Sequence, residues 1–216
     1  MKTVFYVLVM GALLIGGCRS SQKSSSRIGY DFSGVNKVAF VTVQGALNSE
    51  TAKDQIAEFF AIELLERGYA PLGRPQVRAL LAEWEAAGAA DPNAEFRDLT
   101  TNEAAVDAGR ALKVPAVLTI NIPHFADEIT ITATMIDVED GSILWLANGS
   151  GRGEGPLSGM FGGSHKAPDN ELLGGLMGPE SDETADQPLS PQEAKRAQKI
   201  IKSLCKSLPV KLAPAF

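Results

Sequence analysis

The stretch from Ala116 to Trp145 constrains the fold more than any other. It reads AVLTINIPHF and then ADEITITATMIDVEDGSILW. Ala116, Leu118, Ile120 and Ile122 alternate with Thr119 and Asn121, the period-two pattern of a strand buried on one face. Pro123 and His124 are expected to end it. Ile129, Ile131 and Ala133 then alternate with Thr130, Thr132 and Thr134. The apolar phase slips at Met135-Ile136, which predicts a bulge or a strand end covered on both faces. Glu139-Asp140-Gly141 is a tight-turn signal, and Ser142 to Ala147 is the expected return strand, with Trp145 as a core anchor. Three consecutive strands form an antiparallel meander over 116–147 that must be covered by other elements.

The preceding residues supply that cover. Lys37 to Val43 is nearly continuous in apolar residues, as in a strand buried on both faces. Asn48 or Ser49 is placed to cap a helix running to about Arg67, with Ala52, Ile56, Phe59, Phe60 and Leu64 as its inner stripe. Gly68 stands where a left-handed cap is wanted, and Tyr69 to Leu72 is a short strand. Strand, helix and strand at these lengths make a parallel βαβ unit. A second helix opens at Pro75 and runs through Trp84 to about Ala87. Residues 88–99 are read as a loop. Thr100 and Glu103 match a capping box ahead of a helix over 101–112, whose Ala105, Ala108 and Gly109 allow close approach to a sheet.

After the meander the pattern changes. Residues 149–178 are rich in glycine, with Pro156 and Pro168, and show no sustained period; residues 180–187 are acidic. A Gly-rich, acidic mobile loop is expected over 153–189. Ser190 and Pro191 open a last helix to about Ser207. Its inner face carries Ala194, Ala197, Ile201, Leu204, Cys205 and Leu208, which makes Cys205 a buried apolar thiol. The sum is an α/β domain over 35–152 plus 190–208, with a mixed sheet of about five strands and helices on both faces.

The first residues read as a removable leader. Lys2 precedes an apolar run from Val4 to Ile15 that is too short to span a bilayer. The run ends in Ile15-Gly16-Gly17-Cys18, which resembles the lipobox of bacterial lipoproteins. The resemblance implies a signal peptide over 1–17, cleavage before Cys18, and a diacylglycerol on the Cys18 thiol with palmitate as a typical acyl chain. Arg19 follows in place of the aspartate that favours inner-membrane retention in enterobacterial lipoproteins, which implies the outer membrane, facing the periplasm. Residues 18–34 are then a flexible, lipid-anchored tether, since SSQKSSSR at 20–27 holds no apolar side chain.

Taken together, Leu65-x2-Gly68-Tyr69, Glu103-Ala-Ala-x3-Gly109-Arg-x-Leu112-x-Val114-x-Ala116-Val117-Leu118 and Ile136-Asp137-Val138-x2-Gly141-x-Ile143-Leu144-Trp145 resemble the superfamily of the curli-secretion lipoprotein CsgG, the penicillin-binding-protein activator LpoB and the TolB amino-terminal domain. The resemblance spans residues 37–151. It implies a TolB-N-like fold and a non-enzymatic module that binds another envelope component in cell-wall synthesis or envelope assembly. The alternative it implies is a subunit of an oligomeric secretion complex. Paired 9–11-residue membrane strands, which a pore would need, do not stand out.

No residue set points to catalysis, a metal or a cofactor. His124, Asp127 and Glu128 fall in one turn, which is poor metal geometry. Gly149, Gly151, Gly153 and Gly155 lack the Lys-Ser/Thr of a phosphate loop and read as a flexible strand exit. The net charge is −6, and no basic stripe is expected to offset it, so nucleic acid is not an expected partner. The partner is expected to be the membrane, through Cys18, and an envelope protein or a second copy of the chain. Met160, Phe161, Leu172, Leu173, Leu176 and Met177 are the candidate contacts, being apolar in a stretch otherwise polar.

Overall fold

The computed structural model describes residues 22–86, 101–152 and 186–211. The expected leader over 1–17, the loop at 88–99 and most of the loop at 153–189 lie outside these residues. In chain order the described residues form β1 (Gln22–Ser26), a 3-10 turn (Phe32–Gly34), β2 (Lys37–Gly45), α1 (Glu50–Glu66) and β3 (Ala70–Leu72). There follow α2 (Arg74–Ala86), α3 (Asn102–Ala111), β4 (Ala116–Phe125), β5 (Glu128–Asp137), β6 (Ile143–Arg152) and α4 (Pro191–Cys205). The sheet order is β1-β6-β5-β4-β2-β3. β2 runs parallel to both β3 and β4, and the remaining pairs are antiparallel. This is the expected mixed α/β sheet, with the parallel start and the antiparallel meander in place.

The sheet has six strands, one more than expected. The extra strand is β1, in the serine-rich stretch expected to be tether. It pairs with β6 from Gln22↔Gly149 to Ser26↔Trp145. Its side chains are nearly all exposed, so no apolar period marks it. What holds it is the free backbone edge of β6, which any extended segment can complete. β4 also runs on past Pro123 and His124 to Phe125, with a register irregularity between Asn121 and His124 that absorbs the proline. The expected slip at Met135-Ile136 is present as a register shift against Trp145 and Ile143.

Two cores lie on the two faces. On one, α1 contributes Ile56, Phe60 and Leu64, and α4 contributes Ile201 and Leu204 with Leu208 just beyond it. All pack against Phe40, Leu118, Ile120, Ile131 and Trp145. On the other, Val77 and Leu81 of α2 and Ala105 and Ala108 of α3 meet Ala39, Val117, Ile136 and Val138. A Cβ on Gly109 would stand 2.4 Å from Val138 and 2.7 Å from Val117, so the small residue does set the approach of α3. Burying each large aliphatic side chain contributes about 1.5–3 kcal/mol.

The caps follow the sequence closely. Ser49 accepts from Ala52 N, and Ser190 forms a full capping box with Glu193, with proline at the start of α4. The α3 cap is Thr101, not Thr100, since Thr101 Oγ1 accepts from Ala104 N at 3.2 Å. Gly68 has φ +85°, as a left-handed turn after α1 requires. A cluster of two arginines and two carboxylates is a feature that no local pattern announces. Arg74 Nη1 and Nη2 donate to Asp54 (2.6 Å) and Glu50 (2.9 Å), and Arg78 donates to the same two carboxylates. The cluster ties α2 to α1 although the two helices cover opposite faces. Lys53 and Arg74 hold the Glu50 carboxyl below its ordinary range.

Two phenols make the fold sensitive to alkali. Tyr69 is buried, donates to Pro209 O at 2.9 Å and carries Lys211 Nζ over its ring. Burial pushes it up to about 12, against a smaller opposing pull from Arg67. Tyr30 is also pushed up to about 12, by burial and then by its 2.8 Å bond to Asp137. An unfolded tyrosine titrates near 10. The fold therefore favours the protonated phenols: their contribution is complete below pH about 10 and is lost as pH rises through about 12. Denaturant midpoints are expected to fall across that window, with a shallower fall in Tyr69→Phe; an identical slope in that variant would remove Tyr69 from the account.

Candidate functional site

Ile15, Gly16, Gly17 and Cys18, the expected lipobox, lie outside the described residues. So do the apolar candidates Met160, Phe161, Leu172, Leu173, Leu176 and Met177. The described part of the molecule offers a turn, a buried thiol and three surfaces.

His124 stands in β4 and Glu128 opens β5, so of the three residues expected in one turn only Asp127 lies between the strands; His124 and Asp127 are both exposed. Arg196 of α4 braces this turn, donating to Ala126 O (3.1 Å) and Asp127 O (2.6 Å). Among the described residues, no group of three His, Cys, Asp or Glu side chains is placed to hold a metal. Cys205 is buried under α4, as its helical position predicts. Burial and, to a lesser degree, the nearby Glu63 push its thiol up to about 12, so it is a packing residue and not a nucleophile.

The first surface is the part of the sheet beyond α2 and α3. The row Thr119↔Thr134↔Leu146↔Ser25 and the row Asn121↔Thr132↔Asn148↔Lys23 cross four strands. These side chains are exposed or half-buried, and Asn148 Nδ2 donates to Thr132 Oγ1 at 2.7 Å. Apart from Leu146 and Lys23, these rows present hydroxyl and amide groups suited to hydrogen bonding.

The second surface is a groove of about 430 Å³ between α1 and α4. Phe59, Ile62, Glu63 and Glu66 line one wall and Lys195, Gln198, Lys199 and Lys202 the other. Ile62 is 52% exposed, and Leu65 on the same helix 60%.

The third is the outer ridge of α4 and its cap residue Lys206, which shares Lys195, Lys199 and Lys202 with the groove. Lys195, Lys199, Lys202 and Lys206 are all exposed. At about 100° per residue they fall within an arc of about 60°, opposite the buried face of Ala197, Ile201 and Leu204. The expectation that no basic stripe interrupts the acidic surface is corrected here. The spacing 195, 199, 202, 206 is itself the signal, masked by an overall charge of −6.

The glycines after Trp145 belong to this region as well. Gly149 and Gly151, expected to form a flexible exit, continue β6 instead. A Cβ at Gly149 would stand 2.8 Å from Leu204, and one at Gly151 3.0 Å from Ile200. Glycine is needed there because α4 lies directly on the strand. The two-residue repeat of glycine is the sign of this in the sequence.

The described residues thus form an α/β domain with one exposed sheet face and a groove between two helices on the other. No protein-family model matches the chain, and no curated protein matches it. Solved structures do share the fold. A PelC dodecamer from Paraburkholderia phytofirmans superposes with a TM-score of 0.50 at 14% identity, over 90% of this chain and 100% of that one. Lower scores are found with lipoprotein GNA1162 from Neisseria meningitidis (0.41, 17% identity, 55% of this chain and 81% of that one). The LpoB C-terminal domain from Salmonella enterica gives 0.40 at 18% identity, over 56% of this chain and 84% of that one.

Proposed function

We propose that the protein is a bacterial envelope lipoprotein, anchored through a lipid on Cys18 and acting without catalysis as an accessory module in cell-wall synthesis or envelope assembly. The domain faces the periplasm from the outer membrane. The observation that carries this reading is Ile15-Gly16-Gly17-Cys18 at the end of a 12-residue apolar run, four residues before the first described strand. The fold shared with PelC supports it.

The anchor is tested by feeding labelled palmitate to cells that make the wild-type chain or Cys18→Ala. Label is expected on the wild type and lost from the variant; equal labelling would refute the anchor. Several buried acyl chains, at about 0.8 kcal/mol per CH₂, hold a protein to a bilayer almost permanently. A second reading is a subunit of a large envelope assembly. It is favoured by the PelC likeness, because that protein is a dodecamer. Mass measurement of the detergent-extracted protein separates the two readings, since the accessory module is monomeric.

A further inference from the structure

We infer that the outer ridge of α4 is a docking surface for anionic phospholipid, which lays the domain flat against the membrane that anchors it. The inference rests on the lipoprotein reading and adds the orientation of the domain. Two independent observations carry it.

The first is where the anchored chain meets the fold. Gln22 opens β1 and is bonded to Ser203 of α4. Ser203 follows Lys199 by four residues and Lys202 by one, and precedes Lys206 by three. Cys18 is four residues before Gln22. A fully extended chain covers at most about 3.3–3.6 Å per residue, so Cys18 reaches no further than about 14 Å from Gln22. Formation of β1 therefore removes most of the slack expected of a tether over 18–34. A lipid at that distance brings the side of the domain that holds Gln22 to the membrane surface.

The second is charge. Lys195, Lys199, Lys202 and Lys206 form one exposed row, and none has an ion-pair partner among the described residues. Four of the chain's 20 cationic residues thus stand on a single ridge of an acidic protein. Lysine stems are long enough to lay their ammonium groups among lipid phosphates while the helix stays above them. Glu63 and Glu66 on α1, across the groove, mark the edge of this surface, because the same phosphates repel them. The domain therefore leans on α4 and holds α1 away.

The test uses the acylated full-length protein in vesicles of phosphatidylcholine, alone or mixed with phosphatidylglycerol. Lysine labelling with an amine reagent is read residue by residue. Labelling of Lys195, Lys199, Lys202 and Lys206 is expected to fall several-fold when phosphatidylglycerol is present, while Lys113, beyond α3, stays constant. Each Lys→Gln change on the ridge is expected to weaken the apposition about fivefold at low salt. In Lys199→Gln/Lys202→Gln, labelling of Lys195 and Lys206 should return toward the phosphatidylcholine level. These exposed changes leave the fold intact, which circular dichroism checks. Acylated protein labelled equally in both vesicles overturns the inference and leaves the anchor standing. Protein with no acyl mass on Cys18 overturns both. Protection that grows with protein concentration and ignores lipid composition would assign the ridge to the Glu63–Glu66 edge of a second copy, and so overturn the membrane surface.

Discussion

Trp145→Ala is expected to lower the unfolding free energy by about 3–5 kcal/mol, as removal of a large buried aromatic ring does when the surroundings relax only partly. Trp145 is 1% exposed on β6, opposite Met135 on one side and Ser26 on the other. Its Nε1 donates to Ser207 Oγ at 2.9 Å, and that hydroxyl donates in turn to Leu204 O. The ring thus joins the sheet to the last turn of α4. Most domains are stable by only about 5–15 kcal/mol, so the change removes a large share of the total. Trp145→Phe keeps much of the volume and loses the indole donor, and about 1–2 kcal/mol is expected. Urea unfolding followed by far-ultraviolet circular dichroism measures both. A loss below about 1 kcal/mol for Trp145→Ala would mean that α4 does not depend on this ring. The consequence reaches function as well, because the same helix carries the lysine ridge. Trp145→Ala should therefore also reduce lysine protection on anionic vesicles, even where the domain is still folded.

How much of the molecule is legible in the sequence depends on the kind of force that fixes each element. The meander is legible because Ile129, Ile131 and Ala133 repeat with period two, and burial enforces that period. The slip at Met135-Ile136 is legible for the same reason. The cap at Ser190 is legible because proline, serine and glutamate at those spacings serve few other purposes. β1 is not, because its pairing is made by backbone groups and its side chains bury little. Thr100 and Thr101 are chemically the same, so only the geometry of the first turn distinguishes them. The continuation of β6 through Gly149 and Gly151 is obscured because glycine weakens strand propensity. Its reason for being there is the helix that follows much later in the chain, whose Ile200 and Leu204 occupy the space of the missing Cβ atoms. Candidate sites divide in the same way. The expected lipobox at residues 15–18 rests on a local motif alone. The lysine ridge needs only the helical period, but its relation to Gln22 is a long-range contact that no local pattern states.

The substitution expected to do most damage for its size is Gly45→Ala. Gly45 ends β2 where the chain turns toward α1, and it pairs with Ile122 of β4. Its φ is +111°, a backbone conformation that side chains oppose. A Cβ there would stand 2.1 Å from Ile122 O and 2.5 Å from Ile122 C. Those are backbone atoms, so no rotamer change relieves the contact. The same Ile122 oxygen accepts from Ala46 N at 2.7 Å, and moving it aside breaks the bond that closes β2 on β4. Strain of about 1–3 kcal/mol at the backbone adds to about 1–3 kcal/mol for the forced overlap, which gives an expected loss of roughly 2–6 kcal/mol. Gly34→Ala is the matched control. It has no neighbour within 4 Å of the added methyl and is expected to change stability by no more than about 0.5 kcal/mol. Denaturant unfolding of the two variants in parallel decides the matter. Equal effects would mean that the β2–β4 junction yields more easily than its backbone contact implies. A large loss at Gly45 alone would show that the backbone contact between β2 and β4 does not yield to an added methyl.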